Sequence, residues 1–180
     1  MEVIDRKRER ERSLLIIGAG GLGQDCADIA SMMGRYTKIA FLDDNPTEDK
    51  ERLYPIVGCI NDLEKFVDVY DFVIPAVGNN KIREELCKRI HEANMKMPIL
   101  IHHTAIVHPL AVLSPGDIIR AMCYVSAGVQ LQESVLLNIG CKIDHNCIIG
   151  TCSHIPMGCV VRNEVKVEPL SNFKSNAVVE

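Results

Sequence analysis

Six histidines are the side chains of this sequence best suited to moving a proton near neutral pH, and their surroundings separate them. His91 falls in a stretch of good helix formers, where a solvated surface position accounts for it. His102, His103 and His108 flank the junction between two unlike halves of the chain, where turn capping or local hydrogen bonding accounts for them. His145 differs. It stands in Asn138-Ile139-Gly140-Cys141-Lys142-Ile143-Asp144-His145-Asn146-Cys147-Ile148-Ile149-Gly150, two residues past an apolar position of a repeat, at a corner from which a side chain projects outward. A neutral imidazole there can take a proton from an attacking amine or hydroxyl. It can equally serve as a plain hydrogen-bond partner, and the position alone leaves both roles open. His154 follows nine residues later.

The other feature capable of chemistry is a glycine loop. Residues 14–17 are wholly apolar and read as a strand; Gly18-Ala19-Gly20-Gly21-Leu22-Gly23 then satisfies G-x-G-x-x-G and leads into a helical stretch over 24–33. Glycines at such a turn let the backbone approach a phosphate, and the helix start offers free N–H groups and the positive end of its dipole. A second strand, 38–42, ends in Asp43-Asp44, near the offset at which a Rossmann-type site sets an acid against a ribose hydroxyl. A third, 71–77, runs into Gly78-Asn79-Asn80 and a helix over 81–94, so Gly78 and Asn79 reach the same end of a parallel sheet as Gly20. A fourth strand is expected at 99–101, after Pro98. About ninety residues hold one mononucleotide-binding half rather than the two that a dinucleotide needs. The loop therefore points to a nucleotide diphosphate belonging to a substrate, with a turn that binds nothing as the alternative.

What must position the histidines is a six-residue repeat. Val107, Leu113, Ile119, Val125, Leu131, Leu137, Ile143, Ile149, Ile155, Val161, Val167, Phe173 and Val179 recur without a slip, and four positions after each apolar residue stands a small one, Asp117 being the misfit. Helices repeat at 3.6 residues and half-buried strands at 2, so this register predicts a hexapeptide solenoid, three hexads to a coil. Nine residues are then half a circumference, and His145 and His154 point to different sides of one chain. If they share a site, that site lies between neighbouring copies.

Composition narrows the classes. A net charge of -4 with no aromatic-interleaved basic patch argues against nucleic acid as a partner. Residues 1–12 are dense in Arg, Lys and Glu and lack an apolar core, so they predict an exposed helical lead-in rather than a signal peptide or membrane anchor, in a cytoplasmic protein. The eight cysteines form no Cys-x-x-Cys and no zinc spacing; Cys123, Cys141, Cys147 and Cys159 fall on the small-residue register and read as core, and no metal is expected. The fold class is α/β plus all-β: a small Rossmann-like domain over 13–103, then a left-handed parallel β-helix over 104–180.

As an ordered set, Ile17-Gly18-Ala19-Gly20-Gly21, Phe41-Leu42-Asp43-Asp44, Val77-Gly78-Asn79-Asn80-Lys81-Ile82-Arg83 and Asp144-His145-Asn146-Cys147-Ile148-Ile149-Gly150 with His154-Ile155-Pro156-Met157-Gly158 resemble the sialic-acid O-acetyltransferase and UDP-N-acetylbacillosamine N-acetyltransferase family of hexapeptide-repeat sugar acetyltransferases. The resemblance implies acetyl transfer from acetyl-CoA to an amino or hydroxyl group of a nucleotide-linked sugar in surface-glycan synthesis, in a homotrimer with active sites between subunits. It implies that Gly18, Gly20, Gly21, Asp43, Asp44, Gly78 and Asn79 hold the nucleotide sugar, that His145 is the general base, and that His154 and Gly158 lie at the acetyl-CoA. Asn146 stands where the family often has an acid to orient the base, and Asp144 is the other candidate for that task. Arg162-Asn163-Glu164 replaces a glycine-rich stretch, and the last hexad is incomplete at Glu180. The expectation is an acetyltransferase; the alternative is a non-catalytic nucleotide-sugar-binding protein with a shortened CoA groove.

Overall fold

Four strands, apolar at their centres, form a parallel sheet in the order β3-β2-β1-β4: β1 (Arg12–Ile17), β2 (Tyr36–Leu42), β3 (Ile56–Gly58) and β4 (Phe72–Pro75). The computed structural model describes residues 12–45 and 53–180, so the lead-in expected over 1–12 lies outside the described residues but for Arg12. Helices α1 (Gly21–Met32) and α2 (Asn80–Glu92) cover opposite faces, which is why β1 is apolar at every central position. Leu14 and Ile16 join Cys26, Ala27, Ile29 and Ala30 of α1, while Leu15 and Ile17 join Leu86, Cys87 and Ile90 of α2. A 3-10 helix (Ile60–Phe66) adds Leu63 to the second cluster.

Residues 99–101 do not extend this sheet. Its remaining strand is the short Ile56–Gly58, on the β2 edge, and Lys96 makes only a single bridge to Phe72 on the other edge. The next strand, β5 (Leu100–Ile101), pairs instead with β7 (Ile118–Ile119), eighteen residues on, and is the first rung of the solenoid. A two-residue apolar strand reads alike in either setting; the ladder bonds from Leu100 N–H to Asp117 O and from His102 N–H to Ile119 O decide it. The repeat thus extends back to Ile101, before the expected start at 104.

The solenoid continues through β6 (Ile106–Val107), β8 (Tyr124–Val125), β9 (Gln130–Leu131), β10 (Leu136–Leu137), β11 (Lys142–Ile143), β12 (Ile148–Ile149), β13 (His154–Ile155), β14 (Val160–Val161), β15 (Lys166–Val167) and β16 (Val178–Val179). Its three parallel faces are β5-β7-β10-β13, β6-β8-β11-β14-β16 and β9-β12-β15. The sixth-position residues from Ile119 to Val161 and the small-register cysteines are fully or almost fully buried in one core. Cys141 Sγ lies 3.1 Å from Ile155 O and 3.0 Å from Pro156 O, in the next coil. Asp117 sits inside because its two oxygens accept the N–H groups of Ser114 (2.8 Å) and Val135 (2.9 Å), although burial raises its pKa to about 8.

Corners need a residue in the left-handed region, and one occurs every sixth position: Gly116, Met122, Gly128, Ser134, Gly140, Asn146, Cys152, Gly158, Glu164, Leu170 and Asn176. Only four of these are glycine, so this second register is hidden in the sequence. The outward side chains of the first face, Leu100, Ile118 and Leu136, join the core built by α1 and β1, which welds the solenoid to the sheet domain.

Candidate active site

The glycine loop is built from two kinds of glycine. Gly18 has φ +101°, and a Cβ there would lie 2.9 Å from Ala76 O; a Cβ at Gly23 would lie 1.9 Å from Gly18 O. Those two permit the turn and the close seating of α1. Gly20 and Gly21 face open space, and Gly20 starts α1 with no side-chain cap and no acid in the first turn. The first amides of α1 are therefore left to an external acceptor. Asp43 closes the loop from β2, its Oδ2 accepting Ala19 N–H at 2.6 Å and its Oδ1 Asn45 N–H at 2.8 Å, while Asp44 Oδ1 accepts Ile60 N–H at 2.8 Å.

The second loop is different. Asn79 Oδ1 accepts the N–H groups of Lys81 (3.0 Å) and Ile82 (3.2 Å), so this helix start is capped from within. Gly78 beside it faces open space. Sheet pairing brings Gly18, Gly20, Gly21, Asp43, Asp44, Gly78 and Asn79 to the C-terminal edge of β1, β2 and β4.

The two histidines lie on different sides of the solenoid. His145 is exposed at the corner after β11; its Nδ1 is 3.2 Å from Asn146 Nδ2, and its backbone N–H donates to Asp144 Oδ1 at 2.8 Å. Asn146 thus touches the ring, whereas Asp144 secures the backbone. His154, half-buried on β13, faces outward on the side that packs against α1; its Nε2 is 3.2 Å from Asn138 Nδ2. Burial, then the charges of Arg83 and Arg120, lower its pKa to about 4, so it is neutral at pH 7. Gly158, at φ +70°, has its Cβ position occupied by Asn176 Oδ1 at 2.1 Å and serves the corner.

Comparison with known proteins adds to this geometry. Residues 13–90 match the family described as PglD N-terminal domain. The acetyltransferase domain of PglB from Neisseria gonorrhoeae FA1090 is 30% identical, superposes with a TM-score of 0.83, and is matched over 94% of this chain and 92% of that one. The chain belongs to the UDP-N-acetylbacillosamine N-acetyltransferase family of hexapeptide-repeat sugar acetyltransferases. Within this sugar acetyltransferase family, a UDP-N-acetylbacillosamine N-acetyltransferase of Bacillus subtilis (strain 168) is 29% identical over 113 residues, 61% of this chain. The match spans 52% of that relative's length. A perosamine N-acetyltransferase mutant from Caulobacter crescentus, in complex with CoA and GDP-perosamine, shares the fold with a TM-score of 0.79 at 20% identity over 93% of this chain and 88% of that one.

Four residues around the site of this acetyltransferase-family chain escaped the sequence reading. Arg83 of α2 is wholly buried and binds the solenoid backbone. Asp25, Arg120 and Asn138 form a hydrogen-bonded series beside His154. The available signal was spacing: His102, Arg120, Asn138 and Pro156 stand eighteen residues apart and occupy one corner in successive coils. Among the described residues no helix is long and apolar enough to cross a membrane.

Proposed function

We propose that this protein transfers the acetyl group of acetyl-CoA to an amino or hydroxyl group of a nucleotide-activated sugar, with His145 as the general base. The observation that carries the reading is His145 itself: an exposed imidazole at a solenoid corner, contacted at Nδ1 by Asn146 and, among the described residues, open at Nε2. As the sugar nucleophile attacks the thioester carbonyl, Nε2 takes its proton, the C–S bond breaks, and the thiolate of CoA leaves and is protonated. This requires Nδ1 to carry the ring proton, hence Asn146 to turn its Oδ1 toward Nδ1; the two amide orientations have the same shape. His154 donates a hydrogen bond to the developing oxyanion.

The uncapped start of α1 with Gly18, Gly20 and Gly21 suits a diphosphate, and Asp43, Asp44, Gly78 and Asn79 line the same sheet edge for the rest of the nucleotide sugar. His154 and Gly158 lie on the solenoid side where acetyl-CoA is placed in this reading; Gly140, whose Cβ position is open, leaves room in that corner column. The nucleotide sugars named for the relatives carry UDP or GDP. Cysteines free in every described position suit the reducing cytoplasm.

A homotrimer completes the site in this reading. One solenoid face is packed on α1 and β1, and a second presents Val112, Gln130, Ile148 and Lys166; the third presents Ile106, Tyr124, Lys142, Val160 and Val178 in one column, apolar but for Lys142. In this reading, packing on that largely apolar column brings the His145 corner of one copy toward the His154 side of its neighbour. The test is thiol release from acetyl-CoA with a panel of UDP-, GDP- and dTDP-amino sugars. Release is expected with at least one acceptor and should fall ~100-fold or more in His145→Ala. Nucleotide-sugar binding without release from any acceptor would overturn the reading and leave a binding protein.

A further inference from the structure

We infer that Arg120, held by Asp25 of α1, is a positioning residue that fixes His154 as the tautomer protonated on Nδ1, making it a committed hydrogen-bond donor. The catalytic consequence rests on the acetyl-transfer reading above; the tautomer does not.

The polar ordering starts at a group with no choice. A guanidinium only donates, and Arg120 Nη1 bonds Asn138 Oδ1 while its Nη2 bonds Asp25 Oδ2. The backbone N–H of Ile139 donates to the same Asn138 oxygen at 2.8 Å. Two donors on one atom settle the orientation of the Asn138 amide, because the flipped amide would set its NH2 against both. The NH2 therefore faces His154, and at 3.2 Å from Nε2 it can only donate. Nε2 accepts, so the ring proton sits on Nδ1. A second proton on Nε2 would point at the Asn138 NH2 and lie near the positive charges of Arg83 and Arg120. With its lone pair engaged, His154 does not compete with His145 for the nucleophile's proton. The two histidines acquire separate roles from their neighbours.

Asp25 gives the series its second meaning. It stands one turn into α1, whose uncapped first amides lie in the glycine loop. The Asp25 side of the ion pair is partly exposed, so the pair adds little stability by itself. Its effect is geometric: it ties the helix that begins at the phosphate-suited loop to the column Arg120, Asn138 and His154.

The measurement is a long-range proton–nitrogen correlation spectrum of the full-length protein labelled at histidine, with His154 assigned by the signals lost in His154→Gln. At pH 7 the wild type should show His154 protonated on Nδ1 with Nε2 as acceptor. Asn138→Asp, which can only accept, should move the proton to Nε2, and Arg120→Met should mix the two tautomers while Arg120→Lys restores much of the original. In the acetyl-transfer assay Arg120→Met should lower kcat ~10-fold with little change in KM for the nucleotide sugar. A wild-type His154 protonated on Nε2 overturns the inference without need of any variant, as does an Arg120→Met spectrum identical to wild type. Absence of acetyl transfer with an Nδ1-protonated His154 overturns the functional reading and leaves the tautomer assignment standing.

Discussion

Replacing Arg83 by Met should uncouple the sheet domain from the solenoid. Its guanidinium is fully buried with no carboxylate partner among the described residues. Nε donates to Ser134 O at 3.1 Å, Nη1 to Val77 O at 2.9 Å, and Nη2 to Asn80 Oδ1 at 3.0 Å and Cys152 O at 2.6 Å. Asn80 extends the contact, its Nδ2 donating to Leu170 O at 2.9 Å and Ser171 O at 2.8 Å. The helix thus reads a column of carbonyls along one solenoid corner. Burial alone lowers the Arg83 pKa, a sign that desolvation opposes the arrangement and that the carbonyls must offset it. Met fills much of the volume but strands those acceptors at about 1–3 kcal/mol each, partly relieved by water entry and by removal of a buried charge. The expected net loss is about 3–5 kcal/mol, comparable to removing one partner of a buried polar network. Urea denaturation at one protein concentration should show the midpoint falling by ~2 M for an m-value of about 2 kcal/mol/M. Arg83→Lys keeps the charge but not the fork and should lie between. Loss of the nearby cation should also raise the His154 pKa from about 4 toward its ordinary value, readable by NMR titration. A variant within ~0.5 kcal/mol of wild type, the size expected of an ordinary surface substitution, and with His154 titrating as before, would refute the clamp.

Gly23→Ala should cost about 2–4 kcal/mol because its Cβ would meet backbone at 1.9 Å, whereas Gly20→Ala should leave the melting temperature unchanged and weaken nucleotide-sugar binding by calorimetry. Asn146→Gly keeps the left-handed corner free of strain and removes the amide from His145 Nδ1; kcat should fall ~10-fold while CoA affinity holds. His154 gains its proton near pH 6.5 unfolded but only near 4 folded. The unfolded state therefore binds more protons between those values, and His154 costs stability as pH falls from about 7 to about 4, ~1–2 kcal/mol after discounting for its exposed part. Asp117 has the opposite sign: it titrates near 4 unfolded and near 8 folded, so its contribution declines as pH rises across that window. Denaturation midpoints from pH 4 to 8 should then rise with pH more steeply in Asp117→Asn than in wild type; equal slopes would remove Asp117 from the account.

Residues that answer a demand within their own repeat or turn were legible from the sequence, and those whose setting depends on packing between distant segments were not. The hexad register is local: each of Ile119, Val125 and Leu131 must enter the same narrow core, so the period alone places them. The glycine loop was legible for a similar reason, since Gly18 and Gly23 answer a steric demand within a few residues. Residues 99–101 were misplaced because two apolar residues carry no period, and only a partner eighteen positions away assigns them. Arg83 and Arg120 were missed because an arginine on a helix or at a coil corner ordinarily faces water. What changes their meaning is the packing of α1 and α2 on the solenoid, a contact between segments 51 to 95 residues apart in the hydrogen bonds these two arginines make across it.

The His145 corner shows where a local rule and a chemical one meet. Asn146 lies at φ +60°, a conformation asparagine adopts readily, and one could ascribe its presence to the turn alone. Yet Glu164, one coil later at the same corner, takes φ +63°, so the backbone does not require asparagine there. A carboxylate would accept Nδ1–H from His145 and leave Nε2 as the base; an amide can do so only with its oxygen turned inward. With the nitrogen turned inward, His145 would carry its proton on Nε2 and could not act as the base. The same spectrum that reads His154 reads this choice: Nδ1 protonation of His145 is required for catalysis by this route, and Nε2 protonation at pH 7 in the substrate complex would exclude it. In the proposed reaction, the identity of one residue beside each histidine, Asn146 for His145 and Asn138 for His154, thus governs which of the two takes the proton and which donates.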